Sequence, residues 1–168
     1  MASMITSVLC YLFIEGLLST ALDEPIRWEL TDGGDYEMSI DYCSLIILDA
    51  DESTELLNMQ AHCFCKYDSS TSTSSECSSP GPTLVVHPGT AFTITFYNLL
   101  DGDENTEDLL SNEYRDLDIV NIHTHGLHIS PEEDNVFLKI LPGSSNEYTW
   151  TIPDNHYPGT HWYHPHHV

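Results

Sequence analysis

The sequence predicts an all-β chain, a sandwich or barrel, and three observations carry that expectation. Short apolar runs rich in β-branched residues recur along the chain, separated by Gly, Pro, Asn and Asp. Few stretches show helical spacing. In Ala91-Phe92-Thr93-Ile94-Thr95-Phe96 the apolar residues alternate strictly with threonine, so Phe92, Ile94 and Phe96 take one face of a half-buried strand. The expected strands are Ile26–Leu30, Leu45–Leu48, Thr83–Val86, Phe92–Tyr97, Ile119–His125, Tyr148–Ile152 and Thr160–His164. Pro80-Gly81-Pro82 and Pro88-Gly89 bracket the third of these with residues whose φ preferences enforce reversals.

Two stretches resist a strand reading. Ser69 to Ser79 is almost wholly Ser and Thr, too polar to pack, and is expected to be a flexible loop. Leu100 to Asp118 is acidic, and reads either as a short helix around Glu107–Tyr114 or as a solvated excursion.

The 168 residues carry 27 carboxylates against four cations, Arg27, Lys66, Arg115 and Lys139, for a formal charge of −23. Such a chain repels phosphate backbones and anionic lipid, which excludes nucleic-acid binding and polybasic membrane docking. The length suits one domain, divided on reading into 1–21, 22–79 and 80–168. Residues 5–18 are mostly apolar and precede Ser19-Thr20-Ala21, so residues 1–21 are read as a signal peptide cleaved after Ala21. The alternative is a buried amino-terminal helix, because Glu15 interrupts the run and no Lys or Arg precedes it. No later stretch is long and apolar enough for a transmembrane anchor. The expected location is secreted or extracytoplasmic.

Removal of residues 1–21 leaves Cys43, Cys63, Cys65 and Cys77, an even number that allows two disulfides in three connectivities. Cys63 with Cys65 is the least favoured, since alternate strand positions lie about 7 Å apart. His62-Cys63-Phe64-Cys65 offers soft ligands but lacks the second Cys pair of a zinc site. There is no Asn-x-Ser/Thr sequon.

Chemistry concentrates in the histidines. Eight of the ten fall between His123 and His167. Two His-x-His pairs, His123/His125 and His164/His166, each follow residues of strand character, so each pair shares a face about 7 Å apart. Side by side, the two strands would converge four imidazoles. Neutral imidazole suits copper, zinc, iron and nickel, and argues against calcium and magnesium. His128 reads as a surface residue or a support to the ligands, and His161 has the wrong parity to join the pair. His87, His156 and His167 read as solvated.

With these motifs in register with Pro80-Gly81-Pro82-Thr83 and Gly159-Thr160-His161-Trp162-Tyr163-His164, the chain resembles the first cupredoxin (plastocyanin-like) domain of a multicopper oxidase. The resemblance is close from Pro80 to His167 and weak before it. It implies a Greek-key β-sandwich and a copper site supplying half of a trinuclear cluster that reduces dioxygen to water while a donor is oxidised. By resemblance His123 would ligate the type 2 copper, His125 one type 3 copper, and His164 and His166 the type 3 pair. Asp118 and Asp134 are both near enough in sequence to fix a ligand's tautomer, and nothing in the sequence selects between them.

The family's other cluster ligands and its type 1 site lie in a later domain, and no His-Cys-His motif occurs here. The expectation is a truncated domain, inactive alone, that needs the C-terminal cupredoxin domains or other chains to complete its cluster. The alternative is a stand-alone copper-binding or storage module without turnover. A cupin-type mononuclear site is disfavoured, because Glu132 lies seven residues beyond His125 and a second His-x-His stands where a lone His would be.

Overall fold

The computed structural model describes residues 26–49, 54–102 and 118–166. The expected signal peptide, the 107–114 helix and His167 lie outside them. Among the described residues there is no helix. Nine strands follow one another: β1 (Arg27–Glu29), β2 (Asp35–Leu48), β3 (Glu55–Asp68), β4 (Thr73–Ser78), β5 (Thr83–Val85), β6 (Ala91–Asn98), β7 (His123–His125), β8 (Ser145–Thr151) and β9 (Trp162–His164). They form a five-stranded sheet in the order β4-β3-β2-β6-β8 and two small sheets, β1-β5 and β7-β9. The all-β expectation holds.

The core lies on one face of the large sheet. Phe92, Ile94 and Phe96 are buried as the alternation of β6 predicts. Met38 and Ile40 of β2 and Tyr148 and Trp150 of β8 fill the adjacent positions on the same face. Phe92 and Trp150 pack edge to face at 5.8 Å, and the Trp150 indole donates to the Glu133 carbonyl. Leu30, Val120, Ile122, Ile140 and Ile152 close the cluster from the flanking segments. Burial of side chains this size, at about 2 kcal/mol each, is the main stabilising term.

Asn98, buried at the end of β6, donates to the carbonyls of Asp118 (2.6 Å) and Ile140 (2.9 Å) and accepts from the Leu100 amide. Together with the Val120–Ile140 bridge, it ties the segment leading into β7 to the large sheet.

Three expectations are corrected. Ser69–Ser79 is not a loop throughout, since Thr73–Ser78 forms β4 against β3. Its backbone bonds need no apolar side chain, and Cys77 is tethered to Cys65. Leu45–Leu48 is the end of a 14-residue strand whose partner, the 14-residue β3, the periodicity did not show. Ile119–His125 and Thr160–His164 shorten to three-residue strands. The cysteines form the two expected disulfides, as Cys43–Cys63 and Cys65–Cys77.

Candidate metal centre

β7 and β9 are antiparallel, with His123 opposite His164 and His125 opposite Trp162. Directly opposed residues share a face, so the register alone puts His123, His125, His164 and Trp162 on one side. The His123 ring lies 5.5 Å from that of His125 and 5.3 Å from those of His164 and His166. The expected convergence of four imidazoles is therefore present. One ligand atom from each of His123, His125 and His164 lies within 4.8 Å of the others. His166 meets the group by its ring, 6.1 Å from that of His164.

Hydrogen bonds decide which nitrogen faces inward. His123 Nδ1 is 2.7 Å from Asp134 Oδ2. A carboxylate only accepts, so Nδ1 carries the proton and Nε2 is the free lone pair. The same carboxylate accepts from the Thr124 amide at 3.0 Å, which fixes its own orientation. His164 Nδ1 donates to the Pro165 carbonyl at 2.8 Å, and its Nε2 is buried without a hydrogen-bond partner. An orphaned buried acceptor costs about 1–3 kcal/mol, and a metal ion is the partner this one fits. Burial holds the His164 pKa below the ordinary histidine value; the Pro165 hydrogen bond opposes this, and the neighbouring His123, His125 and His166 lower it further. The ring is thus kept neutral, the form that binds metal. The all-imidazole donor set fits copper.

The choice the sequence left open falls to Asp134. Asp118 instead accepts from the Tyr42 hydroxyl at 2.7 Å, with His62 at 3.9 Å. The rings of His128 and His161 each approach His156, at 5.1 and 5.3 Å, rather than the cluster. His156 is not the solvated loop residue expected. It is half-buried, accepts from the His128 amide and donates to the Tyr157 carbonyl. Gly126, at φ +92°, turns the chain away after His125; a Cβ there would lie 3.0 Å from His161 Nδ1.

Several supports escaped the sequence reading. Buried Asn121 accepts from the His166 amide at 2.6 Å and donates to the Val136 carbonyl at 3.0 Å. Its parity with His123 and His125 was the available signal. The Tyr148 hydroxyl accepts from the Ile122 amide at 3.0 Å, and that of Tyr163 donates to the Pro82 carbonyl at 2.8 Å. Trp162 stacks on both His125 (4.7 Å) and His164 (4.2 Å). Nothing in sequence spacing marks the Tyr148, Tyr163 or Trp162–His125 contacts, whereas Trp162 and His164, two apart on β9, share a face by the same parity as the histidine pairs.

Residues 110–168 match the family model described as multicopper oxidase. A comparison with curated proteins found no match. Among solved structures, a multicopper oxidase from Campylobacter jejuni, described as a metallo-oxidase, superposes with a TM-score of 0.51 at 18% identity, over 85% of this chain and 24% of that one. A laccase from Pediococcus acidilactici gives 0.46 at 17% identity, over 83% and 26%. A multi-copper oxidase from the same organism gives 0.46 at 18%, over 91% and 28%. The first of these shows a shared fold, and the architecture is cupredoxin-like. The chain spans about a quarter of the length of these structures.

Proposed function

We propose that this chain is the copper-binding first domain of a multicopper oxidase and supplies half of a trinuclear cluster. His123 would hold the type 2 ion, and His125, His164 and His166 the type 3 pair. The observation that supports this best is the pairing of His123 with His164 across β7 and β9, with Nδ1 of each engaged and Nε2 of each left for a metal. Bound copper would supply one-electron chemistry between a donor and dioxygen. The protein's own part is to fix tautomers through Asp134 and the Pro165 carbonyl, and to keep His164 neutral by burial. Stacked Trp162 restrains the rings of His125 and His164.

The other half of the cluster would come from C-terminal cupredoxin domains or from other chains. The two disulfides support a secreted or extracytoplasmic location. A stand-alone copper-binding module is the second reading. It rests on the same converging imidazoles and differs in needing no further domain to hold the ion.

Copper titration followed by electron paramagnetic resonance tests the site. The chain is expected to bind copper stoichiometrically, and His123→Ala with His125→Ala to lose most of that binding. Unchanged binding in the double variant would refute the assignment. Oxygen consumption is expected only when a protein carrying the remaining domains is added, and its absence even then favours the second reading.

A further inference from the structure

One end of the β7–β9 pair is held by the Tyr148 hydroxyl on the Ile122 amide and by Asn121 on the His166 amide, beside His123 and His164. At the other end His125 stands opposite Trp162. There a second group of imidazoles gathers, apart from the ligands. The ring of His156 lies 5.1 Å from that of His128, in the segment after β7, and 5.3 Å from that of His161, immediately before β9. His156 stands on a turn closed by its own amide on the Pro153 carbonyl at 3.0 Å. Its Nδ1 is 2.8 Å from the Tyr157 carbonyl. A carbonyl only accepts, so Nδ1 carries the proton and Nε2 is the lone pair. That lone pair accepts from the His128 amide at 3.1 Å, and the two bonds thus demand one tautomer. His164 has the same arrangement, with Nδ1 on the carbonyl of the next residue, but leaves its Nε2 without a partner. In His156 a backbone amide takes the place that a metal would have.

We propose that His156 is a positioning residue for the metal centre, a tether rather than a ligand. It ties the segment after β7 to the turn before β9, and so holds His125 against Trp162 and His164. The proposal rests on the copper reading of the site. A pair of three-residue strands has too few ladder bonds to hold its ends unaided, and ligands placed loosely bind weakly. The tether lasts only while Nε2 is unprotonated. A proton there would meet the His128 N–H donor to donor. It would also place a charge between the rings of His128 and His161, the titratable groups that face His156 from the two flanking segments. Asp154, on the same turn, is directed at Gly89 instead. Acid therefore weakens copper binding by more than proton competition at the ligands alone.

Titration of the full chain with copper(II) against a competing chelator, at pH 7.5 and at pH 5.5, tests this. His156→Ala is expected to lose about threefold to tenfold in affinity at the higher pH, the worth of one hydrogen bond. His156→Gln puts an acceptor oxygen where Nε2 stands and cannot be protonated, so it is expected to recover most of that loss. Parent and Gln variant share every ligand, so the ratio of their affinities cancels proton competition at the cluster. That ratio is expected to fall at pH 5.5, where the parent loses its tether. Hydrogen exchange of the His128 amide in the metal-free protein reads the tether directly, and is expected to be at least tenfold faster in His156→Ala. Should the Ala variant misfold, the pH dependence of the parent-to-Gln ratio decides. A parent that takes up no copper overturns both readings. A copper-binding parent with His156→Ala within twofold, a Gln variant as weak as Ala, or a ratio unchanged with pH overturns the tether alone.

Discussion

Replacing Asp134 by Asn isolates the tautomer lock at the metal centre. One Asp134 carboxylate oxygen accepts from His123 Nδ1 at 2.7 Å and the other from the Thr124 amide at 3.0 Å. An amide has only one acceptor oxygen. If it serves Thr124, which is 4% exposed, its NH₂ faces His123 Nδ1 and pushes the ring proton onto Nε2, the nitrogen needed for the metal. The side chains of His123 and Asp134 are 20% and 10% exposed, so the charge-assisted bond keeps most of its value, about 1.5–3 kcal/mol. That corresponds to a loss of about 10–100-fold in copper affinity, the range expected for outer partners of ligating histidines. Competition titration against a chelator of known affinity measures it, with thermal unfolding of the metal-free protein as the control. Asp134→Asn is expected to unfold within a few degrees of the parent, whereas Asp134→Ala also strands the Thr124 amide and loses about 1–3 kcal/mol of stability. A fully folded Asp134→Asn with copper affinity within twofold of the parent would refute the tautomer argument.

Two further outcomes follow from the same supports. Asn121→Ala removes an acceptor from the His166 amide and a donor from the Val136 carbonyl; it is expected to cost about 2 kcal/mol in urea unfolding and to reduce the amount of copper bound, and normal copper binding would argue against an anchoring role. Burial pushes the Tyr148 pKa up to about 12, against the lowering effect of the Ile122 hydrogen bond and with a smaller contribution from Asp134. A folded pKa above the unfolded one means a stabilising contribution that is complete below about pH 10 and lost as pH rises toward 12, worth roughly 3 kcal/mol for two units. Burial raises Tyr163 in the same direction. Urea midpoints are therefore expected to fall steeply over that window, and less steeply in Tyr148→Phe; identical slopes would remove Tyr148 from the account.

What the sequence revealed, and what it hid, divides along physical lines. β6 was legible because one of its faces is buried and the other wet, so the pattern of two survives in the residue types. β4 was not, because a strand held by backbone bonds and a disulfide puts no demand on side-chain polarity. β3 was obscured for the opposite reason. Leu56, Leu57 and Met59 are apolar yet exposed, so their order reflects no buried face of the monomer. At the metal centre the ligand candidates were legible because His-x-His spacing is itself the chemistry. Asp134 was one of two carboxylates near the ligands in sequence, eleven positions from His123 where Asp118 is five, and only the path of the loop after His125 brings the more distant one to the ring. The Tyr148 and Tyr163 contacts join residues 26 and 81 positions apart, a relation that local spacing cannot express.

Those long-range contacts explain how three-residue strands hold a metal site at all. β7 and β9 make too few ladder bonds to fix their own register. The register is imposed from outside, by the Tyr148 hydroxyl on the Ile122 amide, the Tyr163 hydroxyl on the Pro82 carbonyl, and Asn121 between His166 and Val136. Both tyrosines are anchored in or against the core. Core packing thus sets ligand geometry, and the coupling runs both ways. An ion bound only by the folded state stabilises that core by RT ln(1 + [L]/Kd), about 2.7 kcal/mol at a hundredfold excess over Kd. Substitutions that loosen the core, such as Phe96→Ala, should weaken copper binding without touching a ligand. Substituting the exposed ligands His125 or His166 should leave the metal-free stability nearly unchanged, whereas replacing His123 also strands the Asp134 carboxylate and should not.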